Sequence, residues 1–484
     1  MPARTGAEFL QGLKEAQAEV WIRGERVDDV TSHKSLQGCA RSLASLYDMQ
    51  HDPQLKSEMT YESPTTEDPV GLSFLVPRST EDLEKRRAMM TNWARSSCGM
   101  MGRSPDFLNV VITAWGTAGE FFARNRPEFQ KNVEDYYVYA RENDLTLTHT
   151  LLNFQKSRRA GVIDNIDEQI ALTIVKETDA GVVVKGSRLL ATLGPLSDEI
   201  AVYPTRTHMV GEEAWRQSFA FAIPCNTPGM KFLCRESVDH GRSSFDHPLG
   251  SRFEEMDSIV IFDNVLVPWE RMFLLGDVEI CNTYGAQTGY TLHTGHQVTT
   301  RNVAKTEFML GLASLMVKTL GSGDIDVNQQ RVAEMIVYLE VTKACLRAAE
   351  ADAFENKWGV TCPDPAPLNA ARQLFAETLY PRMVEIVQLL GSSSLMALPT
   401  EADFETVLSP DVSRYLATDT ATARDRAKLF HLAWDAACSA FGGRQLLYER
   451  YFAGDPVRNA MLMYSSYDSG PLVDRVKEFL DWEE

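Results

Sequence analysis

Arg103 and His149 are the residues of this chain best suited to do chemistry together. Arg103 closes the run Cys98-Gly99-Met100-Met101-Gly102-Arg103 and leads into Ser104-Pro105-Asp106-Phe107, while Thr148-His149 follows further along. A guanidinium stays protonated at any working pH, whereas an imidazole titrates near neutrality. One fixed cation and one base in a single pocket would hold a phenol oxygen and ease its ionisation. The same residues have a plainer use. Ser104 suits an N-cap and Pro105 the first helical position, and an arginine beside a helix start is commonly a surface or interface ion pair. By local pattern alone the plainer reading wins.

The elements that would position these residues fall into three blocks. Residues 1–145 read as mainly helical: Ser79-Thr80-Glu81-Asp82 is a capped start, Pro105 opens a segment running through Phe121, and a third helix runs from Pro127 towards Asp144. His149 is expected at the end of a helix-like segment. Residues 146–276 change to the period of strands, with a hairpin through Ile170–Val175, the Asp179-Ala180-Gly181 turn and Val182–Val184. Further strands are expected at Glu199–Tyr203, Ser218–Ile223, Met230–Leu233 and Ser258–Phe262. Residues 277–484 return to helices, most clearly at Val332, Met335, Ile336, Leu339 and Leu346. The fold class is therefore α+β, a helical bundle interrupted by a β barrel.

Composition narrows the functions. With 484 residues and 44% hydrophobic content, a large core is available. The 48 basic and 67 acidic residues give a net charge of -19, which argues against nucleic acid or an anionic membrane as partner. No apolar run is long enough to span a bilayer, and the N-terminus has no signal-peptide core, so a cytoplasmic location is expected. The eight cysteines (39, 98, 225, 234, 281, 345, 362, 438) show no C-x-x-C pair and read as reduced and mostly buried, with no metal role. No G-x-G-x-x-G and no phosphate-cradling P-loop occurs. The chain is thus not expected to take hydride from NADH itself.

The Gly102-Arg103-Ser104-Pro105-Asp106 run resembles a motif of the oxygenase component of the 4-hydroxyphenylacetate 3-hydroxylase family, flavin-dependent phenol and chlorophenol monooxygenases. Arg4–Glu8, Leu46-Tyr47-Asp48, His51-Asp52-Pro53, Ser244–Leu249, Ile261–Asp263, Val267–Arg271, Tyr448-Glu449-Arg450 and Gly454-Asp455-Pro456 are similar to further blocks of that family, from one end of the chain to the other. The resemblance implies an acyl-CoA dehydrogenase-like fold, with flavin between the β domain and the helices. It implies reduced FAD (FADH2) made by a separate NAD(P)H-flavin reductase, O2 as co-substrate, and a homotetramer. The reaction it implies is hydroxylation of a para-substituted phenol ortho to its hydroxyl, with 4-hydroxyphenylacetate as the default substrate.

The resemblance also assigns residues. Arg103 and His149 would share the phenol oxygen. Phe107 stands where the family usually has tyrosine, so one expected polar group is missing there. Gln155, Lys156, Ser157 and Arg158 match the segment that wraps the flavin, and Thr192 matches a threonine near the reactive edge of its ring. Unaided, these read as a polar connector. Thr205 and Arg206 match the loop that covers the substrate, where Arg206 would clamp a carboxylate or point to solvent. His296, and less so His293, would reach flavin or substrate. Arg444 and Gly454-Asp455-Pro456-Val457 match blocks near the flavin's adenosine, though a turn after a helix explains the latter equally.

Three other functions compete with this one. A 4-hydroxybutyryl-CoA dehydratase needs cysteine ligands where this chain has Gly102 and Val303. An acyl-CoA dehydrogenase needs a catalytic glutamate that no motif here places. A non-catalytic flavin-binding protein would tolerate replacement of Arg103 and His149.

Overall fold

Ser79 starts the first long helix by local chemistry: its hydroxyl accepts the Asp82 backbone N–H at 3.2 Å, and Glu81 and Asp82 favour the positive end of the helix dipole. In this computed structural model, which describes residues 2–154, 170–204, 212–239 and 241–482, that helix spans Thr80–Ser96. Leu83, Arg86, Met89, Met90 and Trp93 recur at three-to-four spacing and form its buried stripe.

The Pro105–Thr117 helix is buried continuously from Pro105 to Trp115 and lies at the centre of the fold. The run expected through Phe121 breaks at Ala118, and a short helix resumes at Gly119–Ala123. Gly116 allows the Glu128–Glu142 helix to approach, because a Cβ there would lie 2.6 Å from Tyr137 Cβ. The Tyr290–Thr319 helix is buried without interruption from His293 to Thr306 and packs on the Thr80–Ser96, Pro105–Thr117, Asp326–Ala351 and Tyr380–Gly391 helices. A buried ion cluster joins it to the Ala440–Tyr451 helix. Arg301 donates to both oxygens of Glu449 (2.5 and 2.7 Å), and Lys305 Nζ reaches Glu449 at 2.6 Å.

Between the helical regions lie two sheets. The six-stranded sheet has the order Glu25–Arg26, Val20–Ile22, Met230–Cys234, Asp257–Pro268, Gly181–Thr192, Thr173–Thr178. The four-stranded sheet has the order Met272–Leu275, Phe219–Pro224, Glu199–Val202, Leu147–Thr150. This is the α+β, acyl-CoA dehydrogenase-like order, with one correction: among the described residues the two sheets remain open and no closed barrel forms. Two strands of the six-stranded sheet come from the mainly helical N-terminal region, where Thr60–Glu62 and Pro69–Gly71 form a separate pair. Val20–Ile22 pairs in parallel with Met230–Cys234, and three residues are too few to show a period in the sequence. No described helix is long and apolar enough to cross a membrane. The eight cysteines are free thiols, five of them buried.

Candidate active site

His149 lies on a strand, which corrects the expectation of a helix end. Leu147–Thr150 runs parallel to Glu199–Val202 with His149 opposite Ala201, and all four of its residues are buried. The β-branched Thr148 and Thr150 around the histidine favour that extended state. The imidazole sits between two rings, Phe107 at 5.8 Å and Tyr203 at 5.1 Å between centroids. Tyr203 continues the aromatic wall into Trp115 (4.8 Å), Tyr290 (5.9 Å) and Tyr284 (6.4 Å).

Arg103 immediately precedes the central helix. Its backbone N–H donates to Glu255 Oε1 at 2.7 Å, its guanidinium carbon stands 3.9 Å from the Phe107 ring centre, and one terminal nitrogen donates to the Phe452 carbonyl at 3.3 Å. Phe107 therefore touches both proposed catalytic groups, the cation through its ring face. Ser104 occupies the N-cap position, but its hydroxyl bonds to Asp106 Oδ1 (2.6 Å) rather than capping a backbone N–H. The other Asp106 oxygen accepts from Gln297 at 3.1 Å. Burial pushes the Asp106 carboxyl up to about 6, against the pull of those two donors.

Thr192 ends the Gly181–Thr192 strand beside His149. Its carbonyl accepts from Thr148 Oγ1 at 2.7 Å, and its hydroxyl donates to Asp257 Oδ1 at 2.8 Å. Arg444 grips Asp257 through Nε (3.1 Å) and a terminal nitrogen (2.9 Å) and reaches Glu255 at 3.1 Å. Burial raises the Asp257 pKa, but Arg444 first and then Arg235 outweigh it and hold the carboxyl at about 2. Glu255 thus joins the backbone of Arg103 to the side chain of Arg444. The structure brings Arg103, Phe107, His149, Thr192 and Arg444 into one connected region.

The other sequence-assigned residues lie apart or out of view. His296 is buried, and its Nε2 is 2.7 Å from Glu350, which also accepts from Arg87. Burial lowers the His296 pKa despite that carboxylate. His293 is lowered further by burial, beside Arg86 at 3.5 Å. Gly454 and Asp455 turn the chain into the Pro456–Ser466 helix, where the Asp455 side chain caps the Arg458 N–H; Pro456 is buried and its carbonyl accepts from Gln373, while Val457 is exposed. Gln155, Lys156, Ser157, Arg158, Thr205 and Arg206 fall outside the described residues.

Sequence reasoning missed the aromatic wall and the Glu255–Asp257 pair. Tyr203 had a signal, since the expected strand Glu199–Tyr203 ends on it, although the observed strand stops at Val202. Trp115, Tyr284 and Tyr290 had none beyond being apolar residues on helices.

The donor set suits a reduced flavin. The Thr192 hydroxyl spends its hydrogen on Asp257, so its lone pairs are left to accept an N–H from a ring laid against the strand end. Aromatic faces beside one fixed cation suit a flat phenol.

The chain matches the family models described as 4-hydroxyphenylacetate 3-hydroxylase N terminal over residues 5–274 and 4-hydroxyphenylacetate 3-hydroxylase C terminal over residues 281–481. It is 46% identical to a 4-hydroxyphenylacetate 3-monooxygenase oxygenase component of Geobacillus sp., covering 99% of this chain and 97% of that one. It is 45% identical to the protein of that name from Thermus thermophilus, again over 99% and 97%. A crystal structure of such an oxygenase component complexed with FAD and 4-hydroxyphenylacetate superposes with a TM-score of 0.94 at 44% identity, covering 99% of this chain and 98% of that chain. The chain belongs to the 4-hydroxyphenylacetate 3-hydroxylase family.

Proposed function

We propose that this chain is the oxygenase component of a two-component monooxygenase, which uses reduced FAD and O2 to hydroxylate a para-substituted phenol ortho to its hydroxyl. 4-Hydroxyphenylacetate is the substrate that the names of its relatives give and that is bound in one related structure. The observation that carries the reading is the stack of Arg103, Phe107, His149 and Tyr203, a cation and a base against the same aromatic slot.

Bound reduced flavin would supply the activated oxygen. The rest is the work of the protein's own residues. The Arg103 guanidinium favours the phenolate over the phenol, which makes the ring carbon ortho to it more nucleophilic. A ring nitrogen of His149 takes the hydroxyl proton and returns it to that oxygen as the ring rearomatises, while the hydrogen on the hydroxylated ortho carbon leaves as a proton to solvent. Trp115, Tyr203, Tyr284 and Tyr290 wall the slot against water, which would otherwise divert the oxygen into peroxide. Thr192 orients the flavin edge. Gln155, Lys156, Ser157 and Arg158 are assigned to the flavin, and Thr205 and Arg206 to the loop over the substrate.

A separate NAD(P)H-flavin reductase is the expected partner, the location is expected to be cytoplasmic, and the assembly a homotetramer. The apolar side chains left open along the C-terminal helices support assembly, with Tyr464 89% and Phe479 87% exposed. Light scattering of the purified protein measures the assembly directly.

The test of function mixes the purified chain and chemically reduced FAD with oxygenated buffer and a panel of para-substituted phenols. Catechol from one panel member at the expense of peroxide is the expected result. Peroxide alone with every phenol would refute the reading.

A further inference from the structure

Residues 97–104, which lead up to the reactive arginine, have no regular secondary structure, and all of them except Cys98 are buried. A buried irregular backbone has no ladder to satisfy its polar groups, so side chains must do it. Cys98 and Gly99 carry this strap through the left-handed region, at φ 55° and 67°. A Cβ on Gly99 would lie 2.5 Å from Lys305 Cβ, so the strap is pressed directly onto the Tyr290–Thr319 helix. Two consecutive carbonyls then meet side chains. The Gly99 carbonyl accepts from Arg301 at 3.1 Å, and the Met100 carbonyl accepts from Gln445 Nε2 at 2.9 Å.

Both donors are oriented by one buried cluster. Arg301 and Lys305 stand one turn apart on the Tyr290–Thr319 helix, and Gln445 and Glu449 stand one turn apart on the Ala440–Tyr451 helix, so two pairs meet face to face. Glu449 fixes Arg301 through both of its oxygens. Lys305 Nζ reaches Glu449 and also donates to Gln445 Oε1 at 2.7 Å. That second bond decides which way the amide faces. An ammonium has donors only, so it takes the amide oxygen and leaves the amide NH2 for Met100. Turned the other way, the amide would set its oxygen against the Met100 carbonyl and its NH2 against the ammonium.

Stability alone does not explain an ammonium in this place. Burial brings Lys305 down to about 8 despite the pull of Glu449. Arg301 already pairs with both Glu449 oxygens, and apolar side chains of similar volume often replace a buried charge set at little or no loss. An apolar residue at 305 could not orient the Gln445 amide. Met100 lies three residues before Arg103, and the next fixed point along the strap is the Arg103 N–H on Glu255. Between them a Cβ on Gly102 would overlap the Tyr448 ring, which stands 6.0 Å from the Arg103 guanidinium. The strap has no slack to absorb a shift at Met100, so the shift passes to Arg103, where a misplacement of about 1 Å is enough to slow a reaction roughly 100-fold.

We propose that Gln445 and Lys305 are positioning residues for the reaction: Lys305 turns the Gln445 amide to donate to the Met100 carbonyl, and the strap so held sets where the Arg103 guanidinium meets the phenol oxygen. This rests on the phenol hydroxylase reading and adds to it the groups that aim its cation.

The test reads the ionisation of a bound phenol. 4-Nitrophenol absorbs visible light only as the phenolate, so its colour against pH, with protein in excess and reduced FAD present without oxygen, gives the phenolate-to-phenol ratio in the site. Wild type is expected to raise that ratio above the free one by roughly 10-fold or more, and Arg103→Met to abolish the gain. Gln445→Met and Lys305→Met should each lose at least about threefold of the ratio, and the double variant no more than either, because Lys305 acts through Gln445. In the Arg103→Met background neither change should alter it. Catechol formation from 4-hydroxyphenylacetate should fall in step. A wild-type ratio in folded Gln445→Met, whatever its unfolding midpoint, would make the cluster purely structural and overturn the proposal. Losses that add in the double variant would overturn it too. If Gln445→Met does not fold, Gln445→Glu, which keeps a partner for Lys305 and loses the donor to Met100, carries the same comparison. A wild type that leaves the ratio at its free value would overturn the phenol-site reading, and this proposal with it.

Discussion

Replacing Asp257 with asparagine tests how the site is braced. Asp257 accepts from Arg444 twice, from Arg235 Nε at 3.0 Å and from the Thr192 hydroxyl. The fall of its pKa from 3.8 to about 2 corresponds to about 2.5 kcal/mol in favour of the ionised form. In Asp257→Asn that preference is lost, but neither guanidinium is stranded, since Arg444 keeps Glu255 and Arg235 keeps Glu254. The expected loss at pH 7 is therefore about 2.5 kcal/mol, below the roughly 3–5 kcal/mol typical when one member of a buried pair is left alone. A depressed carboxylate contributes fully above its unfolded value and ceases to contribute as pH falls through its folded one. The gap between wild type and variant should thus be complete at pH 7, about half as large at pH 3, and absent below about pH 2. Urea midpoints for the two proteins at pH 7 and pH 3 measure it. A gap equal at both pH values, or under about 0.5 kcal/mol at pH 7, would refute the assignment of the stability to this charge.

Three further outcomes follow from the same geometry. Arg103→Met should lower catechol formation roughly 10- to 1000-fold, the change in phenolate population that one adjacent cation produces, with protein folding followed by circular dichroism. Asp106, with a pKa raised from 3.8 to about 6, withholds stability as pH rises through that window, by about 3 kcal/mol in all; Asp106→Asn should flatten the wild-type decline in unfolding midpoint between pH 4 and 6. Glu449→Gln removes the carboxylate shared by Arg301 and Lys305 and should cost roughly 3–5 kcal/mol in a denaturant titration.

The sequence showed the order of elements because that order is written in local signals. Ser79 is a cap, Gly181 a hairpin turn, and the 3.6 period of Val332 to Leu346 survives in a helix with one exposed face. It failed where tertiary pairing overrides local pattern. Leu147–Thr150 is buried on both faces, so it has no alternation, and only its parallel neighbour makes it a strand. The sequence suggests a barrel where the sheets are open, because strand count alone does not report closure. Arg103 and His149 were legible through a motif, and the structure gives them a shared neighbour in Phe107. The buried Arg188 of the Gly181–Thr192 strand was hidden because an arginine in a strand reads as a solvent-facing residue, although by simple alternation it falls on the buried face of Val182 and Val184.

The Glu255 carboxylate receives the Arg103 amide on one oxygen and the Arg444 guanidinium on the other. The main chain at the reactive arginine is thus fastened to a helix more than three hundred residues away in the sequence. A fragment cut between the sheets and the last helices would keep both Arg103 and His149, yet it would carry Glu255 as a buried charge without its cation. The enzyme therefore divides poorly into modules. Grafting or truncation that respects the visible boundary between sheet and helices would still sever a tether that holds the main chain at the reactive arginine.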